Sequence, residues 1–321
     1  MAQPDSNDVY VNALLTNLSI GYSNREYVAD RVLPPLPVEQ QSGIIPSYNR
    51  GDWLRSQAIE RAPGTVAHRS GWRTDLTDTY FARNYALGKG IPREVAMNAR
   101  APFDMDRDAT RFVTEQLMLR REKIFASAAM ATGVWGTDKT GTTDFVKWSD
   151  YAGSDPIGDI RDGRRTVRQA TGRAANVACC GEIVFDALQD HPDILDRIKG
   201  AASPGNPAIV TEGLLAALFR LEDFVVASAI EVTSKEGQST ITTADVIDDD
   251  MLLVYRTRTP SLFEPSAGYQ IYWRPATGGG MQFIRQYAEG PQMQTVVEGH
   301  AYTQTKVTSS ISGYFFADAV D

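Results

Sequence analysis

Hydrophobic and polar positions change rhythm several times along the chain, and each change marks an element. The clearest rhythm is helical. Ala109, Phe112, Val113, Leu117, Ile124, Phe125 and Ala128 recur at three- and four-residue spacing. Arg107, Arg111, Glu115, Arg120, Arg121, Glu122 and Lys123 fill the positions between them. Asp104, Asp106 and Asp108 crowd the start, where negative charge suits the helix dipole. The spacing predicts a helix over 102–130, about 40 Å long at 1.5 Å per residue, able to act as a spine.

From residue 155 the pattern alternates between helix and strand. Asp155-Pro156 opens a helix as N-cap and first helical residue, with Ile157, Ile160, Val167 and Ala170 on its apolar side. Asn176–Cys180 reads as a short strand. Helices follow at Glu182–Gln189 and Pro192–Lys199, and Thr211 caps one carrying Leu214, Leu215 and Leu218. Strands are expected at Phe224–Val232, Met251–Thr257 and Tyr269–Trp273, giving a mixed sheet flanked by helices. The last forty residues are β-rich, with strands at Gln282–Tyr287, Gln294–Val297 and Ala301–Ile311. The chain ends in Tyr314-Phe315-Phe316, the pattern of a docked terminus.

The first hundred residues look different. Short apolar patches (Val9, Val11, Leu14, Leu15, Leu18, Ile20) alternate with polar residues up to Pro34-Pro35-Leu36-Pro37, which fits neither helix interior nor central strand. This is an arm that packs along something else. Residues 38–90 mix charges and turn formers with Tyr48, Trp53, Trp72, Tyr80, Phe81 and Tyr85 around a Pro63-Gly64 turn. They read as a two-stranded excursion with a wide tip. An isolated hairpin is marginal in water, so one this aromatic suggests docking on a neighbour. An ordinary loop-rich subdomain fits the pattern equally. Residues 133–153, with Trp135 and Trp148, read as a loop.

Composition narrows the function classes. The 321 residues are 42% hydrophobic and 22% charged, a globular profile. Forty acidic against 32 basic residues give a net charge of −8, which argues against dedicated DNA binding. The two cysteines, Cys179 and Cys180, are adjacent, so neither a disulfide framework nor a four-ligand zinc site can be built from them. No signal-peptide pattern opens the chain, and its longest apolar run, Phe224–Ile230, is too short for a membrane span. The sequon Asn17-Leu18-Ser19 means nothing without secretion.

The search for chemistry is mostly empty. No phosphate-binding loop, nucleophile elbow or zinc-protease motif occurs. Gly278-Gly279-Gly280 reads as a turn. His68, His191 and His300 lie in separate segments. Asp104, Asp106, Asp108 and Glu115 match four positions of a calcium loop, but Ala109 stands where the sharp turn needs glycine, so an acidic helix start is preferred. Asp248-Asp249-Asp250 reads as a solvated loop, and Cys179-Cys180 as small core residues. Arg161, Arg164, Arg165, Arg168 and Arg173 form a basic cluster on or near one helical face, solvated or in contact with a subunit or polyanion.

The order of parts, and several local stretches, resemble the major capsid proteins of tailed bacteriophages with the Hong Kong 97-type fold. The stretches are Tyr48-Asn49-Arg50-Gly51-Asp52-Trp53-Leu54-Arg55, Arg61-Ala62-Pro63-Gly64-Thr65, Asp104-Met105-Asp106-Arg107-Asp108-Ala109-Thr110, Val134-Trp135-Gly136-Thr137-Asp138 and Asp190-His191-Pro192-Asp193-Ile194. The resemblance implies an α+β fold with an N-terminal arm (1–37) and an extended β-hairpin loop (38–88) lying on the adjacent subunit. It further implies a peripheral domain with the spine helix (89–150 and 282–321) and an α/β axial domain (151–281). It implies a structural, non-enzymatic protein without cofactor or metal, assembling as hexamers and pentamers into the icosahedral head shell around double-stranded DNA. Arg50, Asp52, Trp53, Arg55, Glu60, Arg61, Arg120 and Arg121 are the expected subunit-contact residues.

Further implied partners are a separate scaffolding protein, a decoration protein, a portal, and packaged DNA touched without sequence readout. No membrane is expected; the location would be the virion, with assembly in the host cytoplasm. Some relatives crosslink a lysine to an asparagine in the C-terminal β region. No asparagine follows Asn206 here, so that bond in that place is ruled out. Two other readings stand beside this one: an encapsulin-type compartment shell of the same fold, and a soluble α+β enzyme built on the 155–281 block.

Overall fold

The computed structural model describes residues 27–98, 104–201, 210–235, 237–238 and 240–321. The arm before Tyr27, with its apolar patches and sequon, lies outside the described residues. In chain order the elements are α1 (Ala29–Val32), β1 (Pro35–Val38), β2 (Ser42–Ile44), β3 (Ser47–Tyr48), α2 (Arg50–Trp53), β4 (Thr74–Asp75), β5 (Thr79–Phe81), β6 (Arg83–Pro92) and α3 (Arg93–Asn98). Then come α4 (Met105–Ala129), β7 (Asp138–Thr140), α5 (Pro156–Thr171), β8 (Val177–Gly181), α6 (Glu182–Asp190), α7 (Pro192–Ala201) and α8 (Glu212–Phe219). The remainder is β9 (Asp223–Ala227), β10 (Ile230–Val232), β11 (Thr243–Asp245), β12 (Met251–Val254), β13 (Gly268–Trp273), α9 (Arg274–Thr277), β14 (Gln282–Glu289), β15 (Gln294–Val307) and β16 (Gly313–Ala317).

Two sheets carry the molecule. One runs β7-β16-β12-β8-β9, mixed in direction. Its central strands are apolar at every position because both faces are covered. Ala178, Cys180, Met251, Leu253, Tyr314 and Phe316 face a core shared with Ile160, Leu188, Leu215 and Trp148. Val177, Cys179, Leu252, Val254 and Phe315 face the opposite core, with Phe125, Ala129, Val32 and Leu33. Strand alternation thus sends the adjacent cysteines into different cores.

The second sheet is built on β15, flanked by β6 and β14 and continued by β13 and then β1. β1 carries Pro35 and Pro37 and sits at the sheet edge, where missing N–H donors are tolerated. α4 joins the two sheets. Val113 and Leu117 in its first half pack with Ile284 and Val297, while Phe125 and Ala129 in its second half enter the core of the other sheet. The spine is held at both ends for that reason. Its N-cap is Asp104, accepting from Arg107 N at 3.2 Å. The calcium-loop alternative fails here, since Asp106, Asp108 and Glu115 are all helical.

Several expectations are corrected. Phe112 is 49% exposed, whereas Thr110, Thr114 and Glu122 are buried, so the covered face of α4 is rotated from the apolar stripe. Residues 294–307 form one strand, not two. Gly299 continues the strand because a Cβ there would stand 2.4 Å from Val113 Cγ1 and 2.9 Å from Leu117 Cδ1; its absence lets the helix lie close. The loop 133–153 contributes β7, which pairs with β16. The run Phe224–Val232 breaks after Ala227, and β10 turns away to pair with β11 alone. β13, read with the 155–281 block, belongs to the sheet of β15, while β16 belongs to the sheet of β8 and β12.

Candidate subunit interface

The excursion leaves the body as two short antiparallel ladders, β2 with β5 and β3 with β4. After β5 the chain rejoins the body as β6. Beyond the ladders, residues 54–73 contain no strand or helix. The tip is organised by side chains. Asn49 caps α2 by accepting from Gly51 N at 2.8 Å. Trp53 meets Tyr48 edge-on at 5.7 Å and Trp72 at 5.8 Å. Asp52 accepts from Arg73 N at 3.1 Å, closing the tip across its base. Trp53 and Trp72 are nonetheless 61% and 62% exposed, and Leu54, Ile59, Val66 and Leu76 are also exposed. An exposed aromatic cluster in a segment with this many exposed apolar side chains marks an interaction site.

The expected contact residues divide into two groups. Arg55, Glu60 and Arg61 are exposed in the tip segment. Arg50 donates to the Ala170 carbonyl at 3.0 Å, at the C-terminal end of α5, where a cation suits the dipole. Arg120 is exposed but lies over the Tyr85 ring, 5.6 Å from its centroid. Arg121 is engaged inside the chain: its guanidinium pairs with Asp30 at 2.8 Å and reaches Met281 Sδ at 3.5 Å.

A second surface was not anticipated. In the β10–β11 hairpin Glu231 turns inward and pairs with Lys123 of α4. Alternation then turns Ile230 and Val232 outward, and both are exposed, as is Ile241 on the approach to β11. The signal was present in the sequence as Ile230-Glu231-Val232, but it lay hidden in a continuous apolar run.

The candidate chemical groups are structurally occupied. His191 is buried; its Nδ1 accepts from Asp193 N at 3.3 Å, so Nε2 carries the proton toward Ser154 Oγ at 3.1 Å. Burial holds its pKa below the usual histidine value. His300 stacks on Phe283 at 5.0 Å, beside Glu298, and burial lowers its pKa too. His68 is exposed in the tip. Burial pushes both thiols well up, which leaves them protonated and unreactive.

Asp250 is pushed up to about 6, mainly by burial, and accepts from Asp318 N at 3.1 Å. In the basic cluster Arg164 donates to the Ala175 carbonyl, Arg165 pairs with Asp162 and Arg173 donates to the Tyr255 hydroxyl; Arg161 and Arg168 are exposed. An open depression of about 500 Å³ is lined by Asp155, Ile157, Asp193, Asp196 and Arg197. Among the described residues no metal-holding cluster forms, and no helix is long and apolar enough to cross a membrane.

No protein-family model matches the chain. The major capsid protein of Burkholderia phage BcepMu is 29% identical over 269 residues, covering 81% of this chain and 83% of that protein. The major capsid protein of Pseudomonas phage JBD67 is 25% identical over 235 residues, covering 70% and 71%. In sequence the chain is thus similar, over most of its length, to tailed-phage major capsid proteins.

Solved structures agree on the fold. A phage-related protein from Bordetella bronchiseptica RB50 superimposes with a TM-score of 0.75 at 20% identity, covering 97% of this chain and 98% of that one. The capsid of cyanophage P-SCSP1u gives 0.56 at 11% identity, covering 89% and 86%. The SrpI encapsulin of Synechococcus elongatus gives 0.54 at 12% identity, covering 100% and 93%. The fold is therefore the Hong Kong 97 type, and the similarity to proteins named major capsid protein supports a structural role as a shell subunit.

Proposed function

We propose that the chain assembles as hexamers and pentamers into an icosahedral phage head around double-stranded DNA, each excursion tip lying on an adjacent copy. The exposed Tyr48–Trp53–Trp72 cluster carries this reading, because the described residues leave both tryptophans more than half exposed. Obligate interfaces commonly bury roughly 2,000–5,000 Å², which long overlapping arms supply. Arg50, Asp52, Arg55, Glu60 and Arg61 would set the register of that overlap, and Arg120 would extend the contact along the spine. Arg121 would contribute indirectly, by fixing the arm root.

In the shell, the unit of the β15 sheet and the first half of α4 would act as the peripheral domain, and the helices packed on the β8–β12 sheet as the axial domain. A separate scaffolding protein, a decoration protein and a portal complete the proposed partners. Assembly would take place in the host cytoplasm, and contact with DNA would be weak and confined to its backbone, in keeping with the net charge of −8. The test is deletion of residues 45–80, read by electron microscopy. We expect a soluble core that no longer closes into shells; normal particles would remove the tip from assembly.

An encapsulin-type shell around a cargo protein is the second reading, favoured by the likeness to the SrpI encapsulin. The two differ in content: nucleic acid for a phage head, protein for a compartment.

A further inference from the structure

The arm root closes on the spine helix through acidic groups. Glu122 is 1% exposed and turns from α4 toward the start of α1. Its Oε2 accepts from Val28 N at 3.1 Å and from Ala29 N at 3.0 Å, and Oε1 lies 3.2 Å from Val28 N. Beside it Asp30 pairs through Oδ2 with Arg121 Nη2 at 2.8 Å. The other Asp30 oxygen, Oδ1, is buried without a hydrogen-bond partner. Two neighbouring carboxylates therefore stand beside one guanidinium, which pairs with Asp30.

The neighbouring charges are already matched. On the arm, Arg31 pairs with Asp223 of β9 at 2.9 Å and reaches Glu212 of α8 at 4.0 Å, and Arg256 approaches Asp223 at 3.7 Å, two cations against two carboxylates. On α4, Lys123 pairs with Glu231 of β10, and Glu115 accepts from the Tyr27 hydroxyl at 3.0 Å. From β8, Cys179 faces the joint as a neutral thiol. Among the described residues Arg121 pairs with Asp30, whose side chain keeps 35% of its exposure, and Glu122, 1% exposed, is left without an ion-pair partner; an uncompensated buried charge is expensive.

We propose that the joint is a proton-binding latch: a proton on Glu122 Oε1 neutralises the uncompensated charge and tightens the hold of the spine helix on the arm root. The geometry allows it, because Oε2 alone reaches both amides. A neutral carboxyl keeps both N–H bonds and sheds the desolvation penalty. Burial, with the nearby Asp30 charge, raises Glu122 to about 7 against an ordinary 4.5, while the two amides and Arg121 oppose that rise. Burial raises Asp30 as well. The sign follows. The closed joint binds the proton more tightly than the open one, so closure strengthens as pH falls from above 7 toward 4.5 and weakens as pH rises through 7.

The test is amide hydrogen exchange on the full chain, reported as protection factors so that intrinsic pH effects cancel. Between pH 8.0 and 5.5 the protection of Val28 and Ala29 should rise roughly 25-fold, from the two pKa values. Val297 in β15 should not follow. Glu122→Gln keeps an acceptor for both amides and cannot titrate, so its protection should be high and flat. Flat protection in the wild-type chain overturns the latch, and so does a pH response that survives in E122Q. The measurement needs no assembled shell, so failure of the shell reading leaves it intact.

Discussion

Removing the two tip tryptophans should abolish assembly while leaving the subunit folded. Trp53 and Trp72 are 61% and 62% exposed in the single chain. A covered tryptophan buries roughly 150–250 Å², so about 120 Å² of each remains to be buried by a neighbour. At ~25 cal/mol per Å² that is about 3 kcal/mol per tryptophan for each contact. Imperfect packing and the ordering of residues 54–73 reduce the gain, so about 3 kcal/mol for the pair is a conservative figure. At 1.4 kcal/mol per tenfold, Trp53→Ala with Trp72→Ala should weaken each contact more than a hundredfold. The assay is a concentration series followed by light scattering and negative-stain microscopy, with thermal melting of the unassembled subunit as control. Unchanged melting with a large rise in the assembly threshold supports the reasoning. Assembly at the wild-type threshold refutes it, because the exposed aromatics would then not be contact residues.

Gly299→Ala should destabilise the subunit by about 1–3 kcal/mol in chemical denaturation, since its Cβ would collide with Val113 and Leu117; an unchanged midpoint would mean that α4 does not lie on β15 as described. Cys179 and Cys180 should resist an alkylating reagent in the native chain at pH 8 and react once it is unfolded, with mass spectrometry as readout; rapid native labelling would contradict their burial in two separate cores.

The sequence was most legible where local signals were complete. Asp155 and Pro156 begin α5 as expected, with Asp155 accepting from Gly158 N at 2.8 Å, and Thr211 caps α8. The spine helix also followed from local chemistry, whereas the prolines of 34–37 excluded helix interior and central strand without revealing the edge strand β1. What escaped was set by distant partners. Gly299 reads as a break in a strand, and only the helix packed above it explains its presence within one. The sheets to which β13 and β16 belong depend on pairings remote in sequence. Glu122 sits among charged neighbours that imply a solvated face, yet the arm root folds over it. The tip was visible as aromatics without a core, while the outward face of β10 was not, because an apolar run does not reveal which side its partner covers.

The most direct measurement is a cryo-electron microscopy reconstruction of the purified chain, repeated with its scaffolding protein if the chain alone stays unassembled. The account predicts closed icosahedral particles in which residues 49–73 of each subunit lie on a second copy and bury Trp53 and Trp72. A chain that stays monomeric under both conditions, or closed particles whose tips project free into solvent, would contradict it.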